Sequence, residues 1–271
     1  MPVTPPDPVR RPPRPPAAWF PGTSAGTADR PRLVCFSYAG GTPSTFHDWP
    51  ALLDGTAHVV SVLLPGRGLR LNEAPYTELA PLADDLATAL ADHGLTGDCV
   101  FFGHSMGALL AYEVACVLRD RGLPEPLHLV VSGSRAPSLY SDRTDHTRDD
   151  EDLLRVLREL GGLGPYDGTS VHVQRRLPAL RADLRCCELY RWRPRTPLSC
   201  PVTAVSGTDD PIATEEQVDA WDRYTVGEFT RLHLPGDHFF INGESRTPLL
   251  RHVRSLCARL RGTPAFRRNA S

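Results

Sequence analysis

The sequence predicts an α/β fold, a mostly parallel, doubly wound sheet carrying an inserted helical lid, and three observations point to it. From residue 31 onward, short apolar runs rich in β-branched residues alternate with longer amphipathic ones, the order expected of parallel strands joined by helices. The short runs are apolar throughout, as strands covered on both faces must be. Between the fourth and fifth of them, residues 135–200 carry no strand signal. An insertion of that length in an open sheet is commonly functional, because a structureless loop so long is not tolerated inside a domain.

The elements follow in chain order. Residues 1–31 hold ten of the 27 prolines; such a stretch neither propagates helix nor donates sheet hydrogen bonds, so it reads as an extended or disordered leader. Trp19 and Phe20 break its polarity and are expected to pin its end to the body. Strands are predicted at 33–36, 58–64, 99–102, 127–132, 202–206 and 229–234, and helices at 76–93, 108–121, 215–224 and 248–260. The lid interval opens with the polar run SDRTDHTRDDED and continues through two amphipathic helical stretches, LLRVLRELGGLGP and VQRRLPALRADLRCCELYRW. The body spans 32–262, with the lid at about 135–200 and a short tail at 263–271.

Composition narrows the chemistry. The net charge is −2, from 32 acidic and 30 basic residues, which leaves no electrostatic footprint for nucleic acid or an anionic membrane. Every basic residue is Arg, so Schiff-base catalysis and a lysine-bearing phosphate loop are both excluded. The seven cysteines have neither CxxC nor Cys/His ligand spacing, which argues against zinc and against a disulfide framework. Arg and Pro stand where a signal peptide would carry an apolar core, and no run reaches ~18 apolar residues. A reduced, cytoplasmic protein is expected, with a monomer as the default.

The chemistry is concentrated at Gly103-His104-Ser105-Met106-Gly107, which follows the strand-like CVFF and precedes the helical ALLAYEVACVLRDRG. That context is what a G-x-S-x-G nucleophile elbow requires, with Ser105 on a strained turn and its hydroxyl exposed at the strand's carboxyl end. A serine hydroxyl needs a base, and the base an orienting acid, in the chain order Ser, Asp, His. Of the histidines beyond the fifth strand, His233 lies within a strand and His252 in the terminal helix. His238 lies in the loop LPGDHFF, just past a strand end, where the reactive groups of open α/β sheets collect. The loop SGTDDP offers Asp209 and Asp210; Asp210, three residues after Gly207 and directly before Pro211, is preferred. His104 is not expected to be the base, because neighbours on a tight turn point apart. The oxyanion donors are expected to be the backbone N–H groups of Met106 and, from the glycine-bearing loop after the first strand, Ala39.

These blocks together resemble a known family, the discrete type II thioesterases of polyketide and nonribosomal peptide synthases, with related fatty-acid-synthase thioesterases. The resemblance runs from about residue 19 to 260 through VCFSYAGG, LPGRGLR, FFGHSMGALLAYEVA, LGGLGP, LPALRADLRCCELYRW, GTDDP and GDHFFIN. It implies the α/β-hydrolase fold and a catalytic Ser105, Asp210 and His238, with Ala39 and Met106 as oxyanion donors. Ser37 departs from the family, which usually has Pro there. The implied reaction is hydrolysis of acyl thioesters on the phosphopantetheine arm of acyl or peptidyl carrier proteins, clearing stalled or aberrant acyl groups from an assembly line without cofactor or metal. Arg67 and Arg70 could then meet an acidic carrier surface or the arm's phosphate, or could be solvated or helix-pairing residues. An oxygen-ester hydrolase, a medium-chain fatty acyl thioesterase and a non-catalytic acyl-binding module are the competing readings.

Overall fold

The computed structural model describes residues 19–22, 29–140, 143–159, 171–261 and 266. Six strands form one all-parallel sheet: β1 (Arg32–Phe36), β2 (His58–Ser61), β3 (Cys99–His104), β4 (His128–Ser132), β5 (Val202–Gly207) and β6 (Phe229–Leu234). Their order is β2-β1-β3-β4-β5-β6. The chain therefore steps outward from β1 to β2, then returns to the other side of β1 to make β3. The loops after β1 and β3 leave in opposite directions, and the crevice between them is where an open α/β sheet holds its ligand.

Among the described residues there are eight α-helices: α1 (Trp49–Leu52), α2 (Leu79–Asp92), α3 (Met106–Asp120), α4 (Asp150–Glu159), α5 (Val171–Gln174), α6 (Leu177–Glu188), α7 (Glu215–Asp219) and α8 (Arg246–Arg261). Alternate strand residues face opposite layers, as the pleat dictates. Val34, Phe36, Phe101, Leu129 and Val131 join the apolar faces of α2 and α3. Leu33, Cys35, Val100, Phe102 and Val130 pack instead on Trp49 and on Leu249, Val253 and Leu256 of α8. The lid has its own small core, in which Leu153 and Leu154 of α4 meet Val173, Leu177 and Leu180. Among the described residues no helix is long and apolar enough to cross a membrane.

Several boundaries differ from expectation for identifiable reasons. The apolar run 58–64 makes its last bond to β1 from Val62 N–H to Cys35 O at 3.0 Å, and Leu63 N–H, facing the outer edge, donates to Trp19 O at 2.8 Å, so the leader's end covers this edge. Helix α2 begins at Leu79 rather than 76, because Glu78 is extended (φ −136°, ψ 136°) and Tyr76 turns inward to Asp85. Helix α3 starts two residues early, immediately after Ser105. The predicted helix 215–224 is α only to Asp219 and 3₁₀ from Ala220 to Tyr224. The expectation that every strand is apolar on both faces fails at the edges, since β6 is largely half-buried or exposed along FTRLHL. Most of the leader, the block LGGLGP and all of the tail except a buried Phe266 lie outside the described residues.

Trp19 and Phe20 are both buried. Trp19 stacks beneath the Arg70 guanidinium, 4.2 Å from its ring centroid. Trp19→Ala is expected to cost about 3–5 kcal/mol in urea unfolding, the range for truncating a large buried aromatic; a loss under about 1 kcal/mol would show that the leader's end is not part of the folded body.

Candidate active site

Ser105 is the sole non-glycine residue with positive φ among the described residues (φ 55°), and its ψ of −121° takes it outside the left-handed helical region. The turn closes only because its neighbours lack side chains: a Cβ on Gly103 would lie 2.3 Å from Gly107 O, and one on Gly107 would lie 2.1 Å from Phe36 O. The serine is anchored through its N–H to Ser132 O at 2.8 Å, continuing the β3–β4 ladder by one residue. Backbone strain of this kind costs of order 1–3 kcal/mol and persists only where the surroundings over-determine it.

The strand ends deliver the other side chains to the same edge. His238, on the loop after β6, lies with Nε2 2.9 Å from Ser105 Oγ and Nδ1 2.8 Å from Asp210 Oδ2. A carboxylate only accepts, so Nδ1 carries the proton and Nε2 is left to take one from the serine. Asp210 Oδ1 accepts from the N–H groups of Ile212 at 2.8 Å and Ala213 at 3.1 Å. Burial pushes the Asp210 carboxyl upward, but the hydrogen bond and charge of His238, with those two N–H groups, outweigh it and hold the acid below its ordinary value. Asp209 is exposed, and among the described residues its carboxylate accepts from Thr208 Oγ1 and does not meet His238. His233 is engaged by Ser206 Oγ at 2.6 Å, and His252, on α8, lies near His128 and Arg259.

Ala39 and Met106 border the same chamber as Ser105, and among the described residues neither backbone N–H has a hydrogen-bond partner. The chamber, about 110 Å³, is walled mainly by apolar side chains, including Leu153, Val156 and Leu157 of α4, Leu184 and Cys187 of α6, and Ile212 and Ala213. Arg135, Arg143, Asp145 and Glu188 complete its lining. Glu188 ties the lid together, accepting from the N–H groups of Asp145 and His146 at 2.9 and 3.1 Å. Ser37, where the family usually has Pro, is buried and donates to Thr42 O at 3.0 Å, closing the Ala39 loop by a side-chain bond.

Two features were not legible from the sequence. His104 is fully buried, accepts at Nδ1 from Ser132 Oγ at 3.0 Å and donates from Nε2 to the backbone carbonyl of His238 at 2.8 Å. It is a strut between β3, β4 and the His238 loop. Arg67 and Arg70 are also buried, which corrects the readings of them as solvated or as facing an acidic carrier or phosphate, while the helix-pairing alternative holds for Arg67. Arg67 makes a two-pronged pair with Asp183 of α6 at 2.6 and 2.8 Å, and Arg70 pairs with Glu73 and Leu63 O. Neither presents a guanidinium to an acidic partner.

A serine on a strained strand-to-helix turn, hydrogen-bonded through His to Asp across the carboxyl edge of a parallel sheet, defines an α/β-hydrolase of the serine class. The thioesterase domain family matches residues 31–257. The gramicidin S biosynthesis protein GrsT of Aneurinibacillus migulanus is 34% identical over 90% of this chain and 94% of its own. The solved structure of RedJ, a thioesterase from the prodiginine biosynthetic pathway in Streptomyces coelicolor, is 57% identical, covers 88% of this chain and 98% of its own, and superposes with a TM-score of 0.81. That of BorB, the type II thioesterase of the borrelidin biosynthetic cluster, is 34% identical over 88% and 97%, with a TM-score of 0.80. The chain belongs to the thioesterase family and is a serine thioester hydrolase.

Burial and the neighbouring His238 lower His104 to about 3, whereas a histidine in an unfolded chain takes its proton near pH 6.5. Between those values unfolding takes up a proton, so stability falls as the pH falls, by about 1.4 kcal/mol per pH unit for this one group. His104→Gln is expected to flatten the urea-derived stability slope between pH 6.5 and 4 by about that amount; an unchanged slope would mean that the ring is charged in the folded chain.

Proposed function

We propose that this protein hydrolyses acyl thioesters carried on the phosphopantetheine arm of acyl or peptidyl carrier proteins, removing stalled or aberrant acyl groups from a polyketide or nonribosomal peptide assembly line. The observation that carries this reading is the hydrogen-bonded line from Asp210 through His238 to Ser105, set at an apolar chamber roofed by the lid. The relatives' named pathways support the assembly-line setting, and the seven free thiols suit a reducing cytoplasm.

Ser105 Oγ attacks the thioester carbonyl while His238 Nε2 takes its proton. The Asp210 carboxylate holds the imidazole in the required tautomer and stabilises the imidazolium that forms. The tetrahedral oxyanion is received by the N–H groups of Ala39 and Met106, the latter at the positive end of α3. The C–S bond breaks and the leaving sulfur takes the proton from His238; a thiol, with an ordinary pKa of ~8.5, needs less of this acid assistance than an amine would. Water, deprotonated by His238, then attacks the acyl-serine and releases the free acid. Each step uses groups of this chain and water alone.

Carrier proteins bearing acetyl, propionyl, longer acyl and aminoacyl groups, read by intact mass, test the assignment. Ser105→Ala is expected to abolish deacylation while leaving the melting curve intact. Asp210→Asn is expected to lower kcat by ~10⁴, as loss of the orienting carboxylate does in serine hydrolases, and Asp209→Asn to change it less than about twofold. The reverse ranking of the two aspartates would move the acid to Asp209. Faster turnover of a matched oxygen ester would make the protein an esterase, and failure of Ser105 to react with a fluorophosphonate would make it a binding module.

A further inference from the structure

The loop that offers the Ala39 N–H is fastened by the lid. Gly41 N–H donates to Tyr38 O at 2.8 Å, closing a turn with Ala39 and Gly40 at its centre and Gly40 at φ 73°, as a type II turn requires. Tyr38 O and Ala39 N–H belong to one peptide plane, so this bond fixes one of the two planes flanking Ala39. The other ends in Gly40 N–H, which donates to Asp183 Oδ2 of helix α6 at 2.7 Å. Three further contacts hold the same turn. Arg176, at the start of α6, donates to Gly40 O at 2.8 Å; Arg67 Nη1 donates to Gly41 O at 3.3 Å; and Leu180 of α6 packs so close that a Cβ on Gly40 would lie 3.2 Å from it.

The charges in this network are not explained by stability alone. Arg67 and Asp183 are each about 3% exposed, and a buried ion pair is commonly no more stabilising than a well-packed apolar pair of the same size. What the carboxylate supplies that an apolar group cannot is an acceptor aimed at Gly40 N–H. A bare carboxylate beside the hole would also repel the oxyanion that develops there. Arg67 bonds both of its oxygens and cancels that charge.

We propose that Asp183, with Arg67 as its counter-ion, is a positioning residue of the oxyanion hole: helix α6 of the lid sets the Ala39 N–H in its donor orientation, and the hole is complete only while α6 is seated. The inference rests on the proposed function, in which Ala39 receives the oxyanion. It makes the lid part of the catalytic machinery as well as a chamber wall, and it makes hydrolysis conditional on lid closure.

The test is steady-state hydrolysis of one acyl-carrier thioester together with the Ki of an alkyl boronic acid, whose tetrahedral adduct on Ser105 mimics the oxyanion. The double variant Arg67→Met/Asp183→Leu removes both charges and the acceptor. Its kcat is expected to fall about 10- to 100-fold, less than or equal to the loss of one oxyanion donor, with KM within about threefold and the boronate Ki rising in parallel. Arg67→Met/Asp183→Asn restores an amide oxygen for Gly40 N–H and is expected to recover most of both losses. Removing the half-buried pair at the opposite, amino-terminal end of β1, Arg32→Met/Asp98→Leu, should lower the melting temperature without changing kcat. If the leucine variant does not fold, Arg67→Lys carries the test, with both quantities expected to worsen by about 3- to 10-fold. A folded variant with wild-type kcat and Ki, or a kcat loss without a Ki change or without rescue by Asn, would overturn the inference. A wild-type protein that neither hydrolyses the thioester nor binds the boronate would overturn the underlying functional reading, and the inference with it.

Discussion

The turn from β3 into α3 constrains everything around it. A serine held at φ 55° between two glycines that touch backbone is a costly conformation, and the neighbouring structure exists in a form that sustains it. The β3–β4 register passes through His104 and Ser132 and ends in the bond from Ser105 N–H to Ser132 O. The Gly107 contact with Phe36 O sets how closely α3 approaches the end of β1, and hence how far the Ala39 loop stands from the serine. The hydroxyl, the Met106 N–H and the mouth of the crevice are placed by one local geometry.

Parallel topology does the rest of the assembly. Because all six strands point the same way, the loops after β1, β3, β5 and β6 emerge on one edge, each contributing one part: Ala39, Ser105, Asp210 and His238. The long-range links between these loops are polar and specific, and His104 illustrates the principle. Its neutral ring joins β4 to the backbone of His238, so the imidazole proposed to take the serine's proton is held through a neighbour that does not compete for it. The lid, whose core among the described residues is a few leucines and a valine, is registered on the body by the buried carboxylate of Asp183 on the Ala39 loop, while Glu188 holds the lid's own segment at Asp145 and His146. Polar pairs of this kind fix position more than they add stability.

Much of this was legible in the sequence where the signal is local. Apolar β-branched runs located all six strands, and the glycine spacing around Ser105 located the turn. Position relative to a strand end distinguished His238 from His233 and His252. Signals failed where tertiary contacts override local pattern. The run 58–64 is apolar to its end, yet Leu63 answers to Trp19 far earlier in the chain. FTRLHL was read as two-sided because its edge position in the sheet is not encoded in its own residues. Arg67 lies 116 positions from Asp183, and an arginine in a glycine-rich loop carries no mark that it will be buried. The same blindness hid His104, since a polar residue beside a nucleophile reads as exposed until its two partners are placed. The motif LRAD held a hint, an acid set among the buried residues of an amphipathic helix.

The most direct measurement is to trap the covalent intermediate. Wild-type protein and an acylated carrier protein are mixed, quenched in acid within milliseconds to seconds, digested and read by mass spectrometry. The expected result is a peptide containing Ser105 heavier by the mass of the acyl group, formed as the carrier is deacylated and absent from Ser105→Ala. Release of the free acid with no acyl adduct on Ser105, or an adduct formed on a neighbouring nucleophile such as Cys187 that persists in Ser105→Ala, would contradict it.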